Sequence, residues 1–315
     1  MTRYVIRRMA QAVIVVLGVT VITFGLQHLI PGNLARAILG PRASRTAIAA
    51  FDQAQGLNHP VAVQYLDFLG RLVHGNLGYS YRLNQSVDSL IAHQLPNDVL
   101  LVGAGLVLAL VIAIPLGIAQ AARRGRVLDH TVTAAAFALY SMPSYWLALL
   151  LIAGLAIAVR AFPAEGPQAP SFGGMLADPR ALVLPVLTLT LINVALFSRY
   201  MRAAAIDTLA QDYIRVARAK GAPERVILAR HVLRNSVLSV TTLVGLALPA
   251  VLTAGLVVEN VFNVPGVGLT YYTAAVNADY PVELGITVLV GVVTAAGSLL
   301  ADIAYAALDP RVRYD

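Results

Sequence analysis

The sequence contains six long apolar stretches, and these constrain the fold more than any other feature. A helix needs about 20 apolar residues to cross the hydrocarbon core of a bilayer, and five of the stretches reach that length. An amphipathic helix of a soluble protein would place polar residues along one side at a spacing of three to four, and these stretches do not. The six predicted spans are Met9–Ile30, Val99–Ala121, Val132–Val159, Ala181–Phe197, Ser236–Val258 and Leu284–Leu308.

The composition agrees with this interpretation. Of the 315 residues, 58% are hydrophobic and only 12% are charged, whereas a soluble domain carries about 25% charged residues. A charged fraction of 12% is too small to cover the surface of a water-soluble globule. Because the chain has no cysteine, a disulfide-stapled scaffold is also excluded. We therefore expect an all-α integral membrane protein with six transmembrane helices.

The distribution of basic residues predicts the orientation. If the N-terminus is cytoplasmic, the inside segments hold 16 lysines and arginines and the outside segments hold 7, as the positive-inside rule requires. Both termini are then cytoplasmic. The first apolar run is longer than that of a cleaved signal peptide, so we expect it to be retained. The predicted segments are 1–30 with the first span, an extracytoplasmic cap at 31–98, and a core at 99–315.

The sequence lacks the motifs of catalysis and metal binding. It has no His-Glu-x-x-His and no Gly-x-Ser-x-Gly, and the spacing of its histidines does not suit a metal site. Its only lysine, Lys220, does not stand in a phosphate-binding loop. We therefore expect no cofactor on this chain, and any ATP-driven step would need another subunit. The net charge of +7 follows from the topology and does not call for nucleic acid.

The large inner loop, 203–235, is the most informative segment. Asp212 favours a helix start, Gly221 favours a helix end, and Pro223 with Glu224 favours a second start. The pattern predicts a short helix, a stop and another helix, which would suit insertion into a cleft on a partner. The alternative is a solvated basic loop that reflects only the positive-inside rule.

The stretch Tyr213-x-Arg-x-Ala-Arg-Ala-Lys-Gly221 resembles the EAA loop of ABC importer permeases, in the form found in the peptide/nickel permease family. Arg215 stands where the general EAA pattern has Glu. Family-like segments follow one another along the whole chain. They are Tyr4–Arg8, Gly75–Ser80, Ser141–Leu147, Val258–Gly268 and Leu308–Tyr314.

The resemblance implies a mechanism and a set of partners. The chain would pair with a second, related permease subunit and two cytosolic ABC ATPase subunits that bind ATP and Mg, and an extracytoplasmic substrate-binding protein would deliver the solute. The chain itself would be a transport subunit without ATPase activity, in the bacterial cytoplasmic (inner) membrane. The resemblance implies that the ATPase-coupling segment comprises Arg215, Ala217, Arg218, Ala219, Lys220, Gly221, Ala222, Pro223 and Glu224.

Polar residues within the spans are candidates for the translocation pathway, because a polar group in lipid costs several kcal/mol unless it faces protein or water. The candidates are Tyr140, Ser141, Ser144, Asn193 and Glu259. Packing or helix-end roles remain the alternative for each. The implied cargo is a dipeptide or oligopeptide, with nickel chelates, glutathione or another peptide-like solute as alternatives. A stand-alone channel or an intramembrane enzyme would be a different class of function.

Overall fold

The computed structural model describes residues 2–29, 34–40, 42–54, 56–169 and 171–308, and most of this length is helical. A long helix, three short helices and a small hairpin precede the second long helix. These elements are α1 (Thr2–Leu29), α2 (Leu34–Leu39), α3 (Arg45–Ala54), α4 (Val61–Val73), the antiparallel strands β1 (Tyr79–Ser80) and β2 (Gln85–Ser86), and α5 (Val87–Ala122).

The described residues that follow are helical apart from the connections, and two stretches of π-helix directly continue α-helices. The elements are α6 (Val127–Ser141), α7 (Ser144–Leu151) with π-helix Ile152–Ala158, α8 (Phe172–Ala177), α9 (Pro179–Leu209), α10 (Asp212–Ala219), α11 (Glu224–Val226) with π-helix Ile227–Val232, α12 (Leu233–Val261), α13 (Val267–Val276) and α14 (Tyr280–Leu308).

Four helices among the described residues are long and apolar enough to cross a membrane, or five if the bent pair α6–α7 forms one span. They cover the predicted spans 1, 2, 4 and 6, and the bent pair covers span 3. The predicted fifth span lies within the continuous helix α12. The multi-pass helical class is confirmed, whereas the count of six and the orientation remain predictions. Two helices extend well beyond the predicted spans, because α5 begins at Val87 and α9 ends at Leu209.

The third predicted span is sharply broken. Helix α6 ends at Ser141, α7 begins at Ser144, and the two axes differ by 108°. Pro143 has no backbone N–H to continue the α6 ladder, and the residue before a proline avoids the helical conformation. Met142 accordingly has extended backbone, with φ −80° and ψ 134°. The proline therefore turns the chain instead of only kinking it.

The chain divides into two compact units. The first, which we call the N-terminal unit, comprises Thr2–Pro96 and Gly266–Ala295. Its hairpin is held to the loop between α13 and α14, because Ser80 Oγ donates a 2.5 Å hydrogen bond to the Asp279 carboxylate and both residues are buried. An apolar cluster of α5, α13 and α14 residues, including Val87, Val282 and Ile286, forms part of its core.

The second, the core unit, comprises Asn97–Pro265 and, among the described residues, 296–308. Its helices α5 and α9 approach closely at glycines. A Cβ added to Gly105 would lie 2.6 Å from the Leu189 Cβ, and one added to Gly117 would lie 2.7 Å from the Met201 Cβ. Because real Cβ atoms cannot come so near, both glycines are required by the packing, as is common between membrane helices. Around them Phe197 and other buried side chains form a continuous apolar core.

Candidate coupling loop and translocation pathway

The short helix α10 ends in a Schellman motif, as the helix–stop–helix pattern predicts. The Gly221 N–H donates to the Arg218 carbonyl at 2.9 Å, and the Ala222 N–H donates to the Ala217 carbonyl at 3.1 Å. Gly221 has φ +80°, which glycine adopts without the steric cost of a side chain. The last carbonyls of α10 are thus satisfied by backbone donors just past Lys220, and the chain leaves the helix in a fixed direction.

An ion pair joins the two sides of this turn. Arg218 Nη2 and Nε lie 2.8 Å and 3.2 Å from the two carboxylate oxygens of Glu224, the first residue of α11. The hydrogen bond from Arg218, together with its charge, holds the pKa of the Glu224 carboxyl below its usual 4.5 and raises the pKa of Arg218. Glu224 is therefore ionised at neutral pH. Both side chains are about half exposed, so the pair contributes less than about 1 kcal/mol.

One apolar side chain anchors α10 to the core unit. Ile214 is fully buried, and Ala217 packs at the edge of the same cluster. The buried neighbours of Ile214 come from α5, α9 and the π-helical stretch after α11, and they are Ala121, Ala205, Ile227 and Val232. The cluster therefore packs α10 against the ends of the long helices α5 and α9.

The opposite side of α10 is open. Tyr213, Val216, Ala219 and Lys220 are exposed, and Val216 is 52% exposed despite its apolar side chain. Arg215 is also exposed and pairs with Asp212 of the same helix at 3.3 Å. The helix thus presents an apolar strip with a positive end, a surface suited to a groove on another protein.

The nine predicted coupling residues occupy one continuous segment. Arg215, Ala219, Lys220, Gly221 and Pro223 are exposed. Ala217 and Ala222 are partly buried beneath them, and Arg218 pairs with Glu224. Ile214 and Val216 are not among the predicted coupling residues, and Tyr213 enters the prediction only as the first residue of the EAA-like motif. The sequence does carry a signal for these three residues, because apolar side chains lie on both sides of a short, otherwise charged helix. Ile214 then faces inward, and Tyr213 and Val216 face outward.

An ion pair between α6 and α9 was not predicted from the sequence. Arg202 of α9 donates to both carboxylate oxygens of Asp129 in the first turn of α6, at 2.6 Å and 2.8 Å. The Asp129 side chain is 4% exposed and also accepts a hydrogen bond from the Gly125 N–H. The bidentate geometry fixes α6 against α9. One signal was available, an acidic residue three positions after the arginine-rich turn 123–126.

The five predicted pathway residues separate into two groups. Tyr140 and Ser141 are exposed at the end of α6, and Ser144 is partly exposed at the start of α7, so these three lie together at the bend. Asn193 is buried and donates to the Leu189 carbonyl of its own helix at 2.8 Å. Glu259 is buried near the end of α12. Of these five residues, only the three at the bend present their polar groups at an open surface.

Four or five spans among the described residues are long and apolar enough to cross a membrane, and the short helix α10 packs against the ends of α5 and α9. These features define a multi-pass helical membrane protein with a structured, charged loop. Comparison with known families identifies the family to which it belongs. Residues 113–314 match the family described as the binding-protein-dependent transport system inner membrane component, and residues 1–102 match its N-terminal family. The chain belongs to this family of ABC importer permeases. Membership implies an ATPase and a substrate-binding protein as partners, and location in the inner membrane as a multi-pass protein.

Individual relatives match over the full length. The chain is 37% identical to the oligopeptide transport system permease protein AppB of Bacillus subtilis, with 100% of both chains covered. It is 37% identical to a putative peptide permease protein of Brucella suis, over 99% of each chain. It is also 35% identical to the probable D,D-dipeptide transport system permease protein DdpB of Escherichia coli, over 95% of this chain and 94% of the relative.

Proposed function

We propose that this chain is the permease subunit of an ATP-driven importer of dipeptides or oligopeptides. The observation that carries the proposal is the full-length similarity to permeases named for oligopeptide and D,D-dipeptide transport. The chain pairs with a second, related permease, and the two together form the pathway. Two cytosolic ATPases bind ATP and Mg and supply the energy, while the substrate-binding protein delivers the peptide.

Coupling runs through α10. In this proposal the exposed strip of Tyr213 and Val216 with Lys220 enters a groove on the ATPase. The Gly221 turn and the Arg218–Glu224 pair keep the helix in one orientation. Ile214 transmits the movement of the closing ATPases to the ends of α5 and α9. A rigid connection is needed because a flexible loop would absorb the displacement.

The pathway is formed from the bend between α6 and α7. Tyr140, Ser141 and Ser144 offer hydroxyl groups there, which can exchange hydrogen bonds with a peptide backbone. In the same proposal Asn193 and Glu259 support the pathway from within the helix packing. The six-helix topology, with both termini cytoplasmic and the segment 31–98 extracytoplasmic, completes the arrangement.

The test is uptake by the whole complex. The permease pair, the ATPases and the binding protein are reconstituted in vesicles, and labelled dipeptides and tetrapeptides are supplied with ATP inside. We expect saturable uptake that requires both ATP and the binding protein. Transport of nickel with no peptide uptake would overturn the peptide assignment. A chain that is stable and active without ATPase subunits would overturn the permease assignment.

A further inference from the structure

One arginine of the core unit is stacked on aromatic rings without an acidic partner. Arg199 of α9 places its Cζ atom 4.4 Å from the centroid of the Phe137 ring and 5.2 Å from that of Tyr140, both on α6. Among the described residues its guanidinium makes no hydrogen bond or ion pair. Arg202, one turn away on the same helix, is fully engaged by Asp129. Arg199 is thus held in position by rings that leave its charge uncompensated.

The two rings place the guanidinium of Arg199 beside the last turns of α6. Asp129, the partner of Arg202, lies in the first turn of the same helix, which begins at Val127. Phe137 and Tyr140 lie about 12 Å and about 16 Å further along the helix, at 1.5 Å per residue. Arg199 therefore contacts the part of α6 that lies nearer the bend at Pro143, whereas Arg202 contacts the opposite end of the helix.

Stacking also determines which part of the guanidinium can bind a ligand. An aromatic ring covers a face of the planar group and leaves the N–H donors at its edge free. Those donors match the two oxygens of a carboxylate in a bidentate geometry. The stacking residues are half exposed, with Phe137 at 50% and Tyr140 at 55%, and Ser141 beside them is exposed. A ligand can therefore reach the edge of Arg199 from the open side of the bend.

A guanidinium that has no acidic group beside it needs another source of compensation. An uncompensated guanidinium facing lipid costs several kcal/mol, so such residues face a cavity or a partner group. On this basis we propose that Arg199, held by Phe137 and Tyr140, binds the C-terminal carboxylate of the peptide as it passes the α6–α7 bend. The inference rests on the proposed function and adds a specificity residue to it. The carboxylate is the one anion that every linear, unmodified peptide carries.

The experiment compares two forms of one peptide in the reconstituted complex. A labelled tripeptide with a free C-terminal carboxylate and the same tripeptide as its C-terminal amide are each supplied at saturating concentration with the binding protein. In Arg199→Gln we expect uptake of the free acid to fall about tenfold, the size of a charged hydrogen-bond contribution. Uptake of the amide should stay within about twofold of wild type. Arg199→Lys should recover part of the acid uptake, since it keeps the charge but loses the fork.

Arg124→Gln is the matched control, because Arg124 is an exposed arginine of the turn 123–126, and both uptakes should match wild type. Equal loss of acid and amide uptake in Arg199→Gln would overturn the inference, as would no loss of either. If Arg199→Gln no longer co-purified with the second permease, the inference would also be overturned, because Arg199 would then contact that subunit and not the peptide. If Arg199→Lys transported both the free acid and the amide as wild type does, the charge alone would suffice. That result would indicate a lipid contact and would overturn the inference. Absence of peptide uptake by wild type would refute the proposed function itself.

Discussion

Gly221 sets the direction in which the chain leaves α10 through its backbone alone. Its φ is +80°, and a Cβ built there meets no atom within 4 Å, so a side chain adds strain without a clash. Gly221→Val should cost about 1–2 kcal/mol and shift the end of α10. We expect peptide uptake to fall at least tenfold while basal ATPase activity of the complex is retained. Gly221→Asp should also uncouple transport, because it adds a charge at the turn.

The control at this position is Gly221→Asn. Asparagine tolerates the left-handed conformation, so this variant should keep most of the uptake. Comparing it with Gly221→Asp, which has nearly the same shape, separates the effect of charge from that of strain. Unchanged uptake and unchanged ATPase stimulation in both the Val and the Asp variants would show that the turn does not transmit the movement.

A second prediction for a single residue concerns Asp129, which holds α6 to α9 through its ion pair with Arg202. Asp129→Asn leaves Arg202 without its carboxylate partner while the site stays largely buried. We expect a loss of about 1–3 kcal/mol, below the usual value for a fully buried pair because Arg202 is 29% exposed. The measurement is the thermal unfolding of the purified complex in nanodiscs. Asp212→Asn, which removes an exposed pair with Arg215, should leave the midpoint nearly unchanged; equal shifts would contradict the assignment.

At the scale of elements, α10 depends on one buried side chain. Ile214→Ala removes the only α10 residue that is fully buried among the described part of the chain and should cost about 3 kcal/mol. Since the helix has only 8 residues, it cannot stay folded without its packing. We expect faster cleavage by trypsin after Arg215 and Arg218, together with reduced coupling of ATP hydrolysis to uptake.

Val216→Ala is the comparison, because Val216 is exposed on the same helix. It should leave the cleavage rate of the isolated permease unchanged, and it should weaken ATPase binding by removing part of the exposed strip. If Ile214→Ala were cleaved no faster than Val216→Ala, the buried cluster would not be what holds α10 in place.

At the scale of the whole molecule, the orientation can be tested directly. The chain contains no cysteine, so single cysteines can be introduced without removing others. Lys220→Cys and Tyr81→Cys both replace exposed residues. In spheroplasts a membrane-impermeant maleimide should label Tyr81→Cys and should reach Lys220→Cys only after lysis. Labelling of Lys220→Cys in intact spheroplasts would reverse the predicted topology.

The sequence by itself determined the class of fold, the family and the local form of the coupling loop. Long apolar runs can satisfy their backbone groups in lipid only as helices, so length and hydropathy decide the class without knowledge of tertiary contacts. Gly221, Pro223 and Glu224 likewise act within a few residues of one another, and the helix ends where they predict.

Only the tertiary structure decided which residues meet across elements. The Asp129–Arg202 pair and the Ile214 cluster each join segments far apart in the chain. Pro143 predicted an interruption, but the angle of 108° depends on packing around the bend. Arg199 shows the difference most clearly. In the sequence it follows the fourth predicted span by two residues, whereas its contact with the Phe137 and Tyr140 rings depends on how α6 packs against α9.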